Sequence, residues 1–226
     1  MRNVLFLCLQ CATILCIVSP ASDSDIAAYL IYNEAVHCQD NRDIKCAIDK
    51  YTAALSAKHE FPEAHQNIAL LLEHSDTNAA LKHHRLSVEY GVSDEFKAAA
   101  LTNLAMSMFR MIPNKSKVTS LEVISTLQEA NALSHQNCNI LFSLGLVYSD
   151  IGDYESAVTF FQQTLEINPD HSMALLNIGN YYFRKFDFKR ASVFYEWAIE
   201  TAEEGNDLEK ASDITVSLMT TNVLVS

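Results

Sequence analysis

Two stretches of this chain bring histidines close together. His59 and His65 stand six residues apart in HEFPEAH, and His83 and His84 are adjacent. A zinc hydrolase needs two histidines four apart on one helical face, with a carboxylate beside them. Six residues with Pro62 between them break that face. Adjacent side chains on a helix diverge by about 100°. Both pairs therefore read as surface histidines. No serine sits in a GxSxG turn. No two glycines lie within six residues of each other, which leaves no Gly-rich phosphate loop. The expectation is a chain with no catalytic residue, no metal and no cofactor.

The cysteines carry a different chemistry. Cys8, Cys11 and Cys16 lie near the N-terminus, and Cys38, Cys46 and Cys138 follow. If residues 39–45 are a turn between antiparallel helices, Cys38 and Cys46 stand roughly opposite each other. Two readings stay open. They form a disulfide closing a small loop, contributing on the order of 2 kcal/mol, or they are ordinary buried packing. Cys138 opens a later helix and reads as a small buried residue. Asn114-Lys115-Ser116 is the one N-x-S/T acceptor in the chain, and it marks Asn114 for glycosylation.

The elements that must hold these residues are helices. Of 226 residues, only 5 are Gly and 4 are Pro, where average usage of about 7% would give roughly 16 glycines. Sandwiches, barrels and doubly wound folds need far more turn residues. The composition is 49% apolar and 19% charged, which suits an ordered, packed chain. A formal net charge of −12 repels nucleic acid and anionic lipid, and excludes both as main partners. Residues 196–213 hold seven acids against the single base Lys210, a solvated helical face.

Residues 1–21 combine Arg2, an uncharged apolar run over 4–18 and the small-residue stretch Ser19-Pro20-Ala21. That is the pattern of a secretory signal peptide, cleaved after Ala21. The rival reading is an uncleaved membrane anchor, against which the run is shorter than the ~20 residues a spanning helix needs. The expected place of the protein is the secretory-pathway lumen or outside the cell, with no membrane span once the signal is removed.

Internal repetition organises the rest. LFSLGLVYSDIGDYESAVTFFQQTLEINP (141–169) and LLNIGNYYFRKFDFKRASVFYEWA (175–198) align at a spacing of 34 residues. Gly145 matches Gly179, Tyr148 matches Tyr182, Ala157 matches Ala191, and Phe161 matches Tyr195. Looser copies lie upstream. Asn33-Glu34-Ala35 recurs as Asn67-Ile68-Ala69 and as Asn103-Leu104-Ala105. The third copy has a turn longer by six residues, over 111–120. The units fall at about 28–61, 62–97, 98–137, 138–171 and 172–205, with a final helix at about 207–221. The apolar end of that helix is expected to pack back on the last unit.

This pattern of small residue, aromatic, Ala, aromatic and closing Pro resembles the tetratricopeptide repeat. The resemblance implies an all-α fold. Residues 22–226 would form a right-handed superhelical solenoid of about five helix pairs plus a C-terminal capping helix. Gly145 and Gly179 would admit Ala157 and Ala191, while Tyr148, Tyr182, Phe161 and Tyr195 fill the space between helices. First helices would line a concave groove. Asn33, Asn67, Asn103 and Asn177 form a column there, with Asn180 and the aromatics Phe109, Phe142 and Phe183 beside it. Such asparagines either grip the backbone of an extended peptide or bridge neighbouring repeats.

The function implied is non-enzymatic: an adaptor of the secretory pathway that binds a protein or peptide segment in its groove. The alternative is an accessory, substrate-recruiting subunit of a lumenal or membrane enzyme complex such as glycosylation machinery. Oligomeric state is left open.

Overall fold

The computed structural model describes residues 23–111, 117–205 and 207–225. Among these residues the chain is helical, with no strand. Five hairpins follow in order: α1 (Asp23–Asp40) with α2 (Ile44–Ala57), α3 (Pro62–Leu72) with α4 (Thr77–Tyr90), α5 (Asp94–Met111) with α6 (Lys117–Leu133), α7 (Cys138–Asp150) with α8 (Tyr154–Ile167), and α9 (Ser172–Arg184) with α10 (Phe188–Glu204). The last helix, α11 (Leu208–Val225), packs on α10. The array is a superhelical repeat solenoid. Several boundaries differ from expectation. α1 begins at Asp23, α6 begins at Lys117 inside the segment assigned to a long turn, and α11 runs on to Val225.

The turns within hairpins are built to one plan. Asp43, Asp76, Asp153 and Asp187 cap α2, α4, α8 and α10, each accepting the backbone N–H three residues on at 3.0–3.2 Å. Each such cap stabilises a helix start by ~1 kcal/mol. Three of these aspartates also donate their own N–H back to the carbonyl five residues earlier: Asp43 to Cys38, Asp153 to Tyr148 and Asp187 to Tyr182, all at 3.0 Å. That closure needs a left-handed residue just before the aspartate. Gly152 takes it at φ 84°, whereas Arg42 and Phe186 take it at φ 60°. A residue with a side chain pays about 1–2 kcal/mol there.

The core is strung along the array. One cluster joins α1, α2 and α3 through Ala35, Tyr51, Phe61 and Ile68. Another joins α5, α6 and α7 through Leu101, Leu127 and Leu144. A third joins α9, α10 and α11 through Leu175, Tyr195 and Ile214. In the last two hairpins the 34-residue spacing is visible as contact. Tyr148 stacks on Phe160 with ring centroids 5.3 Å apart, and Tyr182 stacks on Phe194 at 5.5 Å. The glycines differ from expectation in their partner. A Cβ on Gly145 would meet the Phe161 ring at 2.5 Å, and one on Gly179 would meet the Tyr195 ring at 2.5 Å. They make room for the aromatic rings rather than for Ala157 and Ala191, which are buried beside them.

Candidate functional site

One place on the second helices sets the rest of the interior. Tyr51, His84, Leu127, Phe161 and Tyr195 hold it in successive units, none more than 2% exposed. In the second unit a polar ring occupies an aromatic slot, and a buried polar group needs a partner. Glu73 supplies it: its Oε1 lies 3.4 Å from His84 Nε2 and 2.7 Å from the Arg110 guanidinium. A cleft of about 240 Å³ opens beside this triad, lined by Glu73, His74, Thr77, Ser107, Arg110 and Met111. Burial holds the His84 imidazole below its ordinary pKa, with the Glu73 hydrogen bond opposing it.

His59 is exposed, as expected, whereas His65 and His83 depart from the surface reading. His65 is 3% exposed. Its Nδ1 lies 2.9 Å from His83 Nδ1, so one ring donates and the other accepts, and its Nε2 lies 3.2 Å from the His59 carbonyl. Chain folding around Pro62, at the start of α3, carries His65 inward against α4. Spacing along one helix could not show this. Among the described residues no group of three or more His, Cys, Asp or Glu is placed to hold a metal ion.

The asparagine column is not uniform. Asn67 donates to the Tyr32 and Tyr51 hydroxyls, both at 3.0 Å, and so ties the first unit to the second. Asn177 donates to the Met173 carbonyl of its own helix at 2.7 Å. Asn180 accepts from the Tyr195 hydroxyl at 2.8 Å. Asn33 is exposed and Asn103 half-buried. Phe142 leans on Phe161 and His171, with ring centroids at 5.7 and 4.6 Å. Phe183 lies edge-on to Phe188, and Phe109 packs against the α5–α7 core.

A second column went unread in the sequence as a whole. The residue directly after each buried small residue is half-buried or exposed: Val36, Leu70, Met106, Leu146 and Asn180. Four of the five are apolar, and Leu70 is 42% exposed. Each stands three residues beyond the asparagine position, one turn along the same helical face. The signal was present as an apolar residue following Ala35, Ala69, Ala105 and Gly145.

The structure joins Cys38 to Cys46 in a disulfide across the α1–α2 turn, with Cα atoms 5.7 Å apart. Cys138 is a free thiol, half-exposed rather than buried. Asn114 and residues 1–21 lie outside the described residues. No helix among the described residues is long and apolar enough to cross a membrane.

Residues 139–204 match the family model described as "Tetratricopeptide repeat". Anaphase-promoting complex subunit 3 of Schizosaccharomyces pombe is 32% identical over 82 residues, 36% of this chain and 12% of that protein. Photosystem I assembly protein Ycf3 of Acaryochloris marina is 33% identical over 72 residues, 32% of this chain and 36% of that protein. The matched segments thus span well under half of these relatives. Among solved structures, MamA aligns over 76% of this chain and 96% of its own, at 25% identity and TM-score 0.62. A thermophilic tetratricopeptide-repeat protein of Thermus thermophilus aligns over 85% of this chain and 99% of its own, at 18% identity and TM-score 0.66. YrrB, described as "a TPR protein with an unusual peptide-binding site", aligns over 86% of this chain and 98% of its own, at 17% identity and TM-score 0.58. The array therefore has the tetratricopeptide-repeat fold, the family that the pattern in 141–198 resembles. These relatives correct the expected location. They belong by name to the anaphase-promoting complex and to photosystem I assembly, not to the secretory-pathway lumen. The expected glycan on Asn114 drew on that location and loses its support.

Proposed function

We propose that this tetratricopeptide-repeat array binds an extended protein segment along its first helices, as an interaction module without chemistry of its own. Tetratricopeptide-repeat proteins generally mediate protein–protein interaction and scaffolding. The observation that carries the finer reading is the apolar column Val36, Leu70, Met106 and Leu146, one partly accessible side chain per unit on successive first helices. A row of such ledges offers successive contacts to apolar side chains of an extended segment. Asn33 and Asn103 stand beside them with amides able both to donate and to accept. Asn67, Asn177 and Asn180 already serve the fold, so they contribute less to a ligand than the sequence suggests.

The test is selection of a random twelve-residue peptide library on the purified chain, then calorimetry of the best binder. Leu70→Glu is expected to weaken binding tenfold or more, since a charge replaces a desolvated apolar contact. Leu70 is exposed enough that the fold should tolerate the change. Full affinity in Leu70→Glu, with unchanged circular dichroism, places the site elsewhere.

A further inference from the structure

The turn joining α9 to α10 carries a side chain that folding does not ask for. Phe186 sits at φ 60° and is 80% exposed. The matching turn of the preceding unit has Gly152 there. Left-handed backbone disfavours a bulky L-residue, and an exposed ring gains nothing from burial. Gly would serve this turn better on both counts.

The ring has company. Phe186 lies edge-on to Phe188 with centroids 6.1 Å apart, and Phe188 lies edge-on to Phe183 at 5.4 Å. Lys185, Phe186, Asp187, Phe188 and Lys189 line an open cleft of about 440 Å³. The local charge is opposite to that of the molecule. Residues 184–190 read RKFDFKR, four bases and one acid in a chain of net charge −12. Arg184, Lys185, Lys189 and Arg190 are all exposed. Asp187 caps α10 and pairs with Arg190, and Glu155 of α8 pairs with Lys185 at 2.7 Å, which leaves Arg184 and Lys189 as the cations that face a partner.

We infer that this turn is a second docking surface, for an acidic protein segment bearing apolar side chains. An apolar side chain enters the cleft against Phe186 and Phe188, and flanking carboxylates face Arg184 and Lys189. Charge selects this partner over an extended polyanion. Screening confines attraction to within about 8 Å, so a short acidic segment meets only the basic turn. A duplex or an anionic bilayer would also run across the surrounding acidic surface and be repelled.

Fluorescence anisotropy on the full chain tests this, with a labelled twelve-residue peptide of Asp, Glu and Leu at low salt. Saturable binding that weakens in 0.5 M salt is expected. Phe186→Gly should lower affinity about tenfold or more while raising the thermal midpoint, because Gly relieves the backbone. Lys189→Glu should lower affinity and leave the midpoint unchanged. The proposal is overturned if the peptide does not bind, or if Phe186→Gly binds it as well as the parent. It is equally overturned if Phe186→Gly lowers the midpoint, which marks the ring as structural. Preference for phosphatidylserine vesicles or a single-stranded oligonucleotide over the peptide also overturns it.

Discussion

The buried histidines make this protein sensitive to acid one residue at a time. Burial first, and then the charge of His83, push the His65 imidazole down to about 4 from the ordinary 6.5. The unfolded chain therefore binds a proton at His65 before the folded chain does. Between those two values the unfolded state holds more protons, and stability falls as pH falls. Above about pH 7 both states are neutral at this site and the contribution is complete. His65 alone should cost roughly 2 kcal/mol of stability at pH 5. His83 and His84 are lowered too, by burial first, and add in the same direction. Denaturant titrations at pH 7.5 and pH 5 should show the loss, and His65→Gln should reduce it by about 2 kcal/mol. A pH-independent midpoint would mean that His65 is hydrated in solution.

At the scale of the helix pair, the decisive fit is glycine against ring. Gly145→Ala sets two effects against each other. Ala in a helix interior is favoured over Gly by about 1 kcal/mol. Yet the new Cβ lies 2.5 Å from the Phe161 ring, which is 1% exposed, so the ring must shift within the packed core. Overpacking costs ~1–3 kcal/mol, so the net expectation is a loss of up to about 2 kcal/mol. The first unit has Ala35 and Tyr51 in these places, both buried, so that hairpin accommodates a methyl group where the fourth does not. Thermal unfolding of Gly145→Ala, and of Gly145→Ala with Phe161→Leu, checks this. The second change should recover part of the loss, and a midpoint raised by the first alone would refute the ring contact.

Across the whole molecule, stability is a chain of neighbours. Among the described residues each unit packs chiefly on its neighbours, so a repeat array responds locally to damage at one end. α11 closes that end with Ile214, 1% exposed among Leu175, Ala191, Tyr195 and Ala198. Its outward side keeps Val216 and Met219 at 64% exposure. Ending the chain at Gly205 removes Ile214 and uncovers its neighbours, at a cost of roughly 2 kcal/mol or more. Hydrogen exchange should then quicken in α9 and α10 and stay unchanged in α1–α4. Uniform quickening along the array would show that it unfolds as one unit.

The helix pairs, their 34-residue spacing and the small-residue and aromatic places were legible in the amino-acid sequence. Those features are local: a period along one chain records which side of a helix is buried, and an aspartate three residues before a backbone N–H can cap it. What each side chain meets was not written locally. Asn67 and Asn103 look alike in sequence, yet Asn67 bridges Tyr32, 35 residues away, and Tyr51, 16 away. Cys38 and Cys46 allowed two outcomes until the α1–α2 turn set their Cα atoms 5.7 Å apart. His65 read as a surface residue until α3 laid it against His83. Nothing local marked Phe186 as exposed and left-handed. Periodicity is a property of one helix, whereas partners and exposure depend on how two helices approach, and only packing decides that.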